Sequence, residues 1–168
     1  MADRLKGKTA LIVGAGQTPG ETIGNGRAMS ILFAREGAQV LCVDRVAERA
    51  EETAAMIVAE GGQATAFTAN VTKADDVAVM IEEAKARLGR IDILVNNVGV
   101  GGGDGPAHRV EEAAFDRILS VNLKGMWLTI KAAIPTMREQ GGGAIVNISS
   151  LAGIAGETRW PTRSPRRP

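Results

Sequence analysis

Four glycines stand where a polypeptide could receive a phosphate. They are Gly14, Gly16, Gly24 and Gly26, within the run Val13-Gly14-Ala15-Gly16-Gln17-Thr18-Pro19-Gly20-Glu21-Thr22-Ile23-Gly24-Asn25-Gly26-Arg27-Ala28. The run separates an apolar stretch, residues 9–13, from a helical pattern that begins at Arg27 and recurs at Ala28, Ile31, Leu32 and Ala34. Between strand and helix, glycine permits positive φ and lets backbone N–H groups approach an anion closely, and the helix start adds free amides and a positive dipole end. An ordinary strand-to-helix turn is the alternative, and the insert 17–23 makes the run longer than a compact G-x-G-x-x-G turn. A second apolar run, residues 38–43, ends at Asp44-Arg45. In a dinucleotide-binding βαβ unit a carboxylate there accepts hydrogen bonds from the adenosine ribose hydroxyls; a solvated strand-end acid is the alternative. The same charge disfavours a 2′-phosphate, since like charges ~4 Å apart repel by ~4 kcal/mol at an effective dielectric of 20. NAD is therefore expected over NADP, with Arg45 acting in the opposite sense because guanidinium pairs with phosphate.

Around these residues, strands and helices alternate in a regular rhythm. After the first helix, stopped at Gly37, and the second strand comes an Ala- and Glu-rich helix over residues 46–60, closed by Gly61-Gly62. A third strand over 64–69 runs into Asn70-Val71-Thr72, a helix over 74–88 ends at Gly89, and 91–95 form a fourth strand. Alternation of this kind predicts a doubly wound parallel sheet of about five strands, with helices on both faces joined by right-handed crossovers. Ligands of such sheets bind at the carboxyl ends of the strands, which places the glycine-rich turn, Asp44, Asn70 and Asn96 along one edge.

Composition excludes several classes. Of the 168 residues 45% are apolar, enough for one domain with a core. Net charge is +1, but 16 of the 20 Lys and Arg and 18 of the 19 Asp and Glu lie in residues 1–156, so the positive excess belongs to the last twelve residues. No basic face and few aromatic platforms argue against nucleic acid as a partner. The amino terminus lacks the apolar centre of a signal peptide and no apolar run reaches ~18 residues, so a cytoplasmic protein without a membrane span is expected. The single Cys42 falls in a strand and is expected buried and inert. His108, beside Pro106, is expected on the surface, and nothing points to a metal.

Beyond the fourth strand come Asn96-Asn97-Val98-Gly99, a glycine-rich loop over 101–106, a long helical region over 111–139 carrying Val121-Asn122-Leu123, and a fifth strand over 144–148 ending at Ser149-Ser150. The ordered set of glycine-rich turn, Asp44, Asn70-Val71, Asn96-Asn97-Val98-Gly99, Val121-Asn122-Leu123 and Asn147-Ile148-Ser149-Ser150 resembles the short-chain dehydrogenase/reductase family over residues 6–153. The resemblance implies a Rossmann-type sheet, a nicotinamide dinucleotide, and hydride transfer to or from an alcohol or carbonyl carbon of a small molecule. It assigns the adenosine ribose to Asp44, the adenine to Asn70 and Val71, the central part of the cofactor to Asn97 and Gly99, and catalysis to Ser150 and Asn122. A serine hydroxyl can polarise a carbonyl, and an asparagine can hold a water for proton relay. The chain departs from the family at Val98, where alanine is usual, and in the enlarged first loop. The resemblance also implies a homo-oligomer built on the long helix, here with Ile118, Val121, Met126, Ile130, Ala133 and Ile134. Self-association is further expected from a fifth strand left as a sheet edge.

The largest departure comes after Gly153. The family uses a tyrosine as acid/base, aided by a lysine one helical turn on, but this chain contains no tyrosine, and Arg163 and Arg167, near the expected place, do not exchange protons near neutral pH. Residues 157–168 hold four of the arginines and three of the six prolines, a composition that forms no amphipathic helix. The expectation is a partial dinucleotide-binding domain over 1–156, a truncated or frame-shifted member of the family, and an irregular tail over 157–168. Two other readings are a dinucleotide-binding module without catalysis and an S-adenosylmethionine-dependent methyltransferase. The latter shares the glycine-rich turn and the acid after the second strand but not the segments at Asn96 and Asn147.

Overall fold

Strand β1, Thr9–Val13, is buried at every position, because its alternate side chains enter different cores. Ala10 and Ile12 join Val40, Cys42, Ile31, Ala34 and Ile57 on one side. Leu11 and Val13 join Leu41, Val43, Val77, Met80, Leu94 and Leu128 on the other. A strand covered on both faces belongs to the middle of a parallel α/β sheet. The computed structural model, which describes residues 3–103, 105, 106 and 108–150, has that arrangement.

Five parallel strands lie in the order β3-β2-β1-β4-β5, with β2 at Gln39–Asp44, β3 at Gln63–Thr68, β4 at Ile93–Asn96 and β5 at Ala144–Asn147. Helices α1 (Asn25–Arg35) and α2 (Ala47–Ala59) pack together on the first core, and α3 (Ala74–Leu88) packs with α5 (Met126–Glu139) on the second. The sheet is thus the doubly wound one expected, and α3 has the expected bounds, its last turn closed by Gly89 in the left-handed region (φ 75°). The expected tail 157–168 lies outside the described residues. No helix among those described is long and apolar enough to cross a membrane.

Two expectations change. Helix α4 (Glu112–Leu119) and α5 are continuous through a π-helical stretch, Ser120–Gly125, where the sequence predicts plain helix. Ala133 is buried and Ile118, Val121, Met126 and Ile130 are half-buried, the wider turn resetting the phase of the helix beyond it. The outward apolar side chains are instead Phe115, Leu119, Leu123, Trp127 and Ile134, of which only Ile134 was expected. In addition β4 begins two residues late, because Ile91 is held from the side by Gln140, which accepts its N–H (3.0 Å) and donates to its carbonyl (2.6 Å). Cys42 is fully buried, and burial pushes its thiol up to about 11 against a smaller opposing effect of the Ser30 hydroxyl.

At the end of the sheet opposite the glycine-rich turn, Asp92 ties β1 to β4. Its Oδ2 accepts the Thr9 N–H (3.0 Å) and hydroxyl (3.2 Å), and its Oδ1 accepts from Arg90 Nε (2.9 Å). Burial raises this carboxyl, but the Thr9 N–H, the Arg90 guanidinium and the Thr9 hydroxyl together outweigh it, leaving the group below its usual value. A carboxyl lowered on folding contributes stability that is complete above its unfolded value and fades as pH falls through the folded one. We therefore expect Asp92→Ala to cost about 2 kcal/mol at neutral pH, as buried donors lose their acceptor. Thermal melting should show that deficit constant above pH ~5 and shrinking below ~4; a pH-independent deficit would contradict the assignment.

Candidate functional site

The glycine-rich turn is fastened to both neighbouring strands. The N–H groups of Gly14 and Ala15 both donate to the Val43 carbonyl at the end of β2 (2.8 Å each). On the other side, Asn97, just past β4, donates its N–H to the Val13 carbonyl (2.8 Å) and its Nδ2 to the Gly14 carbonyl (2.9 Å). Helix α1 is packed hard against this joint. A Cβ on Gly26 would sit 1.8 Å from the Gly14 oxygen and 2.6 Å from Asn97 Nδ2, so only hydrogen fits there. The helix starts at Gly24 without a side-chain cap, and the first N–H with a backbone acceptor is that of Ala28, to the Gly24 carbonyl (3.0 Å). The amides of Asn25, Gly26 and Arg27 have no partner among the described residues, as an anion site at a helix start requires.

Asp44 stands beside this start. Its Oδ2 accepts the Gly16 N–H (3.1 Å) and its Oδ1 the Val46 N–H (3.0 Å). Gly16 has the same requirement as Gly26, for a Cβ there would lie 2.6 Å from Asp44 Oδ2. Each carboxylate oxygen has a second lone pair, so the group can still accept two hydroxyls. Behind the turn the buried Thr53 hydroxyl bonds the Ala15 carbonyl (3.0 Å) and accepts Arg27 Nε (3.1 Å), and Arg27 also pairs with Glu52. Arg27 is thus a buried brace and not a phosphate ligand, whereas Arg45 and Arg49 reach the cleft with no ion-pair partner among the described residues.

After β3, the Asn70 Oδ1 accepts the Thr72 N–H (3.0 Å) and hydroxyl (2.8 Å) and so shapes its own turn. Val71 is buried, with its side chain against Gly125 of the π-helical stretch. After β4, Asn122 holds the chain. It accepts the Val100 N–H on Oδ1 (2.8 Å) and donates from Nδ2 to the Val100 carbonyl (2.9 Å), so the carboxamide expected to hold a water is already engaged at both ends. Arg117, one helix turn earlier, donates to the carbonyls of Gly101 and Gly102. Asn96, expected on the ligand edge, is buried instead: its Nδ2 donates to Asn147 Oδ1 (2.9 Å) and its Oδ1 accepts the Thr129 hydroxyl (2.6 Å).

These pieces enclose one cleft of about 660 Å³ at the carboxyl ends of β1, β2 and β4. Gly14, Gly16, Gly24, Gly26, Asp44, Asn70, Val71, Asn97 and Gly99 all line it. Ser150, exposed past the end of β5, and Asn122, reached through Val100, do not. His108 is exposed, and no group of His, Cys, Asp and Glu suited to a metal occurs among the described residues. Sequence reasoning missed Arg117, Val121 and Thr72 as lining residues. One signal was available: Arg117 and Val121 are one turn apart on a helix that comes after a run of glycines, a loop in need of a holder.

Known proteins share this arrangement. A family model described as short chain dehydrogenase matches residues 8–163. The 2-(S)-hydroxypropyl-CoM dehydrogenase 3 of Xanthobacter autotrophicus is 40% identical over 156 residues, which are 93% of this chain and 58% of that protein. A 7α-hydroxysteroid dehydrogenase solved with NADH and 7-oxo glycochenodeoxycholic acid superposes with a TM-score of 0.83 at 33% identity, covering 93% of this chain and 58% of that one. A metagenomic short-chain oxidoreductase solved in complex with NADP gives 0.80 at 36% identity, covering 90% and 66%. The chain therefore spans less than two thirds of each of these relatives.

Gly26→Ala tests the joint. The added methyl must push α1 away from Gly14 and Asn97, and overpacking of this kind costs about 1–3 kcal/mol. We expect a lowered melting temperature by circular dichroism with the helix content kept; an unchanged melting temperature would mean that the contact relaxes freely.

Proposed function

Because the chain belongs to the short chain dehydrogenase family, we propose that its cleft binds a nicotinamide dinucleotide, NAD in preference to NADP, in the service of hydride transfer between that cofactor and an alcohol or carbonyl carbon of a small molecule. The observation that carries this reading is the convergence on one cleft of the Asp44 carboxylate and of Asn25 and Gly26, whose amides have no partner among the described residues. A dinucleotide presents vicinal hydroxyls and a pyrophosphate, and these are the complements of such a pair. The close approaches at Gly16 and Gly26 fit it as well, since a Cβ at either place would displace residues that border the cleft, Asp44 and Arg49 at Gly16 and Gly14 and Asn97 at Gly26. In this reading Asp44 accepts the ribose hydroxyls, the amides at the start of α1 hold the pyrophosphate, and Asn70 with Val71 border the adenine. Asn97 and Gly99 border the middle of the cofactor, whose nicotinamide supplies or accepts the hydride. Ser150 donates a hydrogen bond to the substrate oxygen, and Asn122 acts as a positioning residue that keeps Gly99 and Val100 against the cleft.

Cofactor choice tests the first half. NADH should bind more tightly than NADPH, because the Asp44 charge faces the 2′-phosphate. Asp44→Ala should weaken NADH by about tenfold while NADPH loses little, as removal of ribose acceptors is offset by relief of repulsion and by the free guanidiniums of Arg45 and Arg49. Fluorescence titration measures both, and equal affinities in the unaltered chain would sink the assignment.

Chemistry is a separate matter. The ionisable side chains that line the cleft are Asp44, Arg45, Arg49 and Arg117, and the 168 residues contain no tyrosine. Positioned acid/base catalysis contributes ~10²–10⁴ in rate, and an unactivated serine hydroxyl does not supply it near neutral pH. We expect these 168 residues to bind NADH without oxidising or reducing secondary alcohols and ketones at a measurable rate. NADH-dependent turnover that disappears in Ser150→Ala would overturn this expectation.

A further inference from the structure

Residues 17–23 lengthen the glycine-rich turn, and one side chain organises them. The Gln17 carboxamide donates from Nε2 to the Thr22 carbonyl (3.0 Å) and accepts the Gly24 N–H on Oε1 (2.9 Å), so it spans the loop and closes it onto the residue that starts α1. Among the described residues no other hydrogen bond holds 18–23, and all six are exposed. Thr18, Pro19, Gly20 and Thr22 nevertheless line the cleft together with Gln17. Glu21, between two lining residues, does not line it.

We propose that residues 17–23 form a strap over the phosphate end of the cleft and that Gln17 is the positioning residue that holds it shut; this rests on the dinucleotide reading above. Closure does three things. It pre-orders a loop whose freedom would otherwise be lost on binding. It occupies the Gly24 N–H, so that the pyrophosphate falls to the amides of Asn25 and Gly26, which line the cleft. It keeps the Glu21 carboxylate out of the cleft, where it would repel the pyrophosphate. Once Gln17 is cut back, the strap is free to swing that charge inward.

Titration of the unaltered chain and of Gln17→Ala with NADH, ADP-ribose and adenosine tests this. The variant should bind NADH and ADP-ribose about three- to tenfold more weakly, about the net worth of one hydrogen bond, and adenosine as before. Glu21→Gln should be neutral alone and should recover part of the loss when combined with Gln17→Ala, an effect that simple loosening of the fold would not produce. Hydrogen exchange gives a reading on the unaltered chain alone: a protected Gly24 amide supports the strap, and an unprotected one overturns it. Equal NADH binding by the two chains, or a loss shared equally by adenosine, overturns the strap while leaving the dinucleotide site intact. Absence of NADH binding by the unaltered chain overturns that site, and the strap with it.

Discussion

Everything at the carboxyl edge of the sheet depends on a contact into which no carbon fits. Gly26 of α1 lies against the Gly14 carbonyl, and that oxygen is fixed from the other side by Asn97 Nδ2. Three segments far apart in sequence thus meet at one atom: the end of β1, the start of α1 and the end of β4. The strand order puts β1 between β2 and β4, so the chain leaves β1 toward one face while β4 returns from the other side, and a crevice opens between them. Were α1 held further out by a side chain at 26, its first amides would no longer converge with Asp44 on the crevice.

Neutral carboxamides do most of the holding around that crevice. Asn122 brackets Val100 and Gln17 brackets its own loop, and at the opposite end of the sheet Gln140 brackets Ile91 in the same way while also donating to the Gly142 carbonyl (2.9 Å). Each offers a donor and an acceptor at a fixed spacing, which matches the two groups that a loop backbone presents. Because these ties carry no charge, they leave the field inside the cleft to Asp44, to the positive end of α1 and to the guanidiniums that line it, of which Arg45 and Arg49 have no ion-pair partner among the described residues. Arg117, on the carbonyls of Gly101 and Gly102, is a tie made by a cation and lies at the end of the cleft formed by the loop after β4.

That division explains what was legible in the sequence. Apolar periodicity and glycine stops located every strand and helix, because burial on both faces of the sheet imposes an unbroken apolar run at Leu11 or Leu41 and a helical stripe at Val77, Met80 and Ile81. The residues lining the cleft were legible for a related reason: the carboxyl ends of parallel strands are fixed once the strands are. What stayed hidden depended on pairings that carry no periodic mark. Asn96 turns inward to Thr129, and Asn122 serves Val100, because a short amide bonds whichever backbone or hydroxyl the fold brings near. The π-helical stretch had no sequence signal beyond an asparagine in a helix interior, a place that ordinary helix energetics disfavour. By widening the turn it brings Gly125 against Val71, and so joins the long helix to the part of the cleft that follows β3.

The proposed binding and the proposed chemistry consequently fall on different parts of the chain. All nine cleft-lining residues read from sequence belong to the first four strands, the turns after them or the start of α1, where two packed cores and the Gly26 contact fix the backbone. Ser150 lies past the end of β5, whose residues are mostly exposed and whose side chains reach the interior through the amide pair between Asn96 and Asn147 and through Ile145, packed on the second core. A hydroxyl must be held to within a fraction of an ångström to stabilise charge that develops only in a transition state, whereas a dinucleotide spreads its recognition over many weaker contacts. On the reading proposed above, cofactor recognition would therefore draw on the buried part of the fold, whereas Ser150 would act from a strand that the described residues leave mostly exposed.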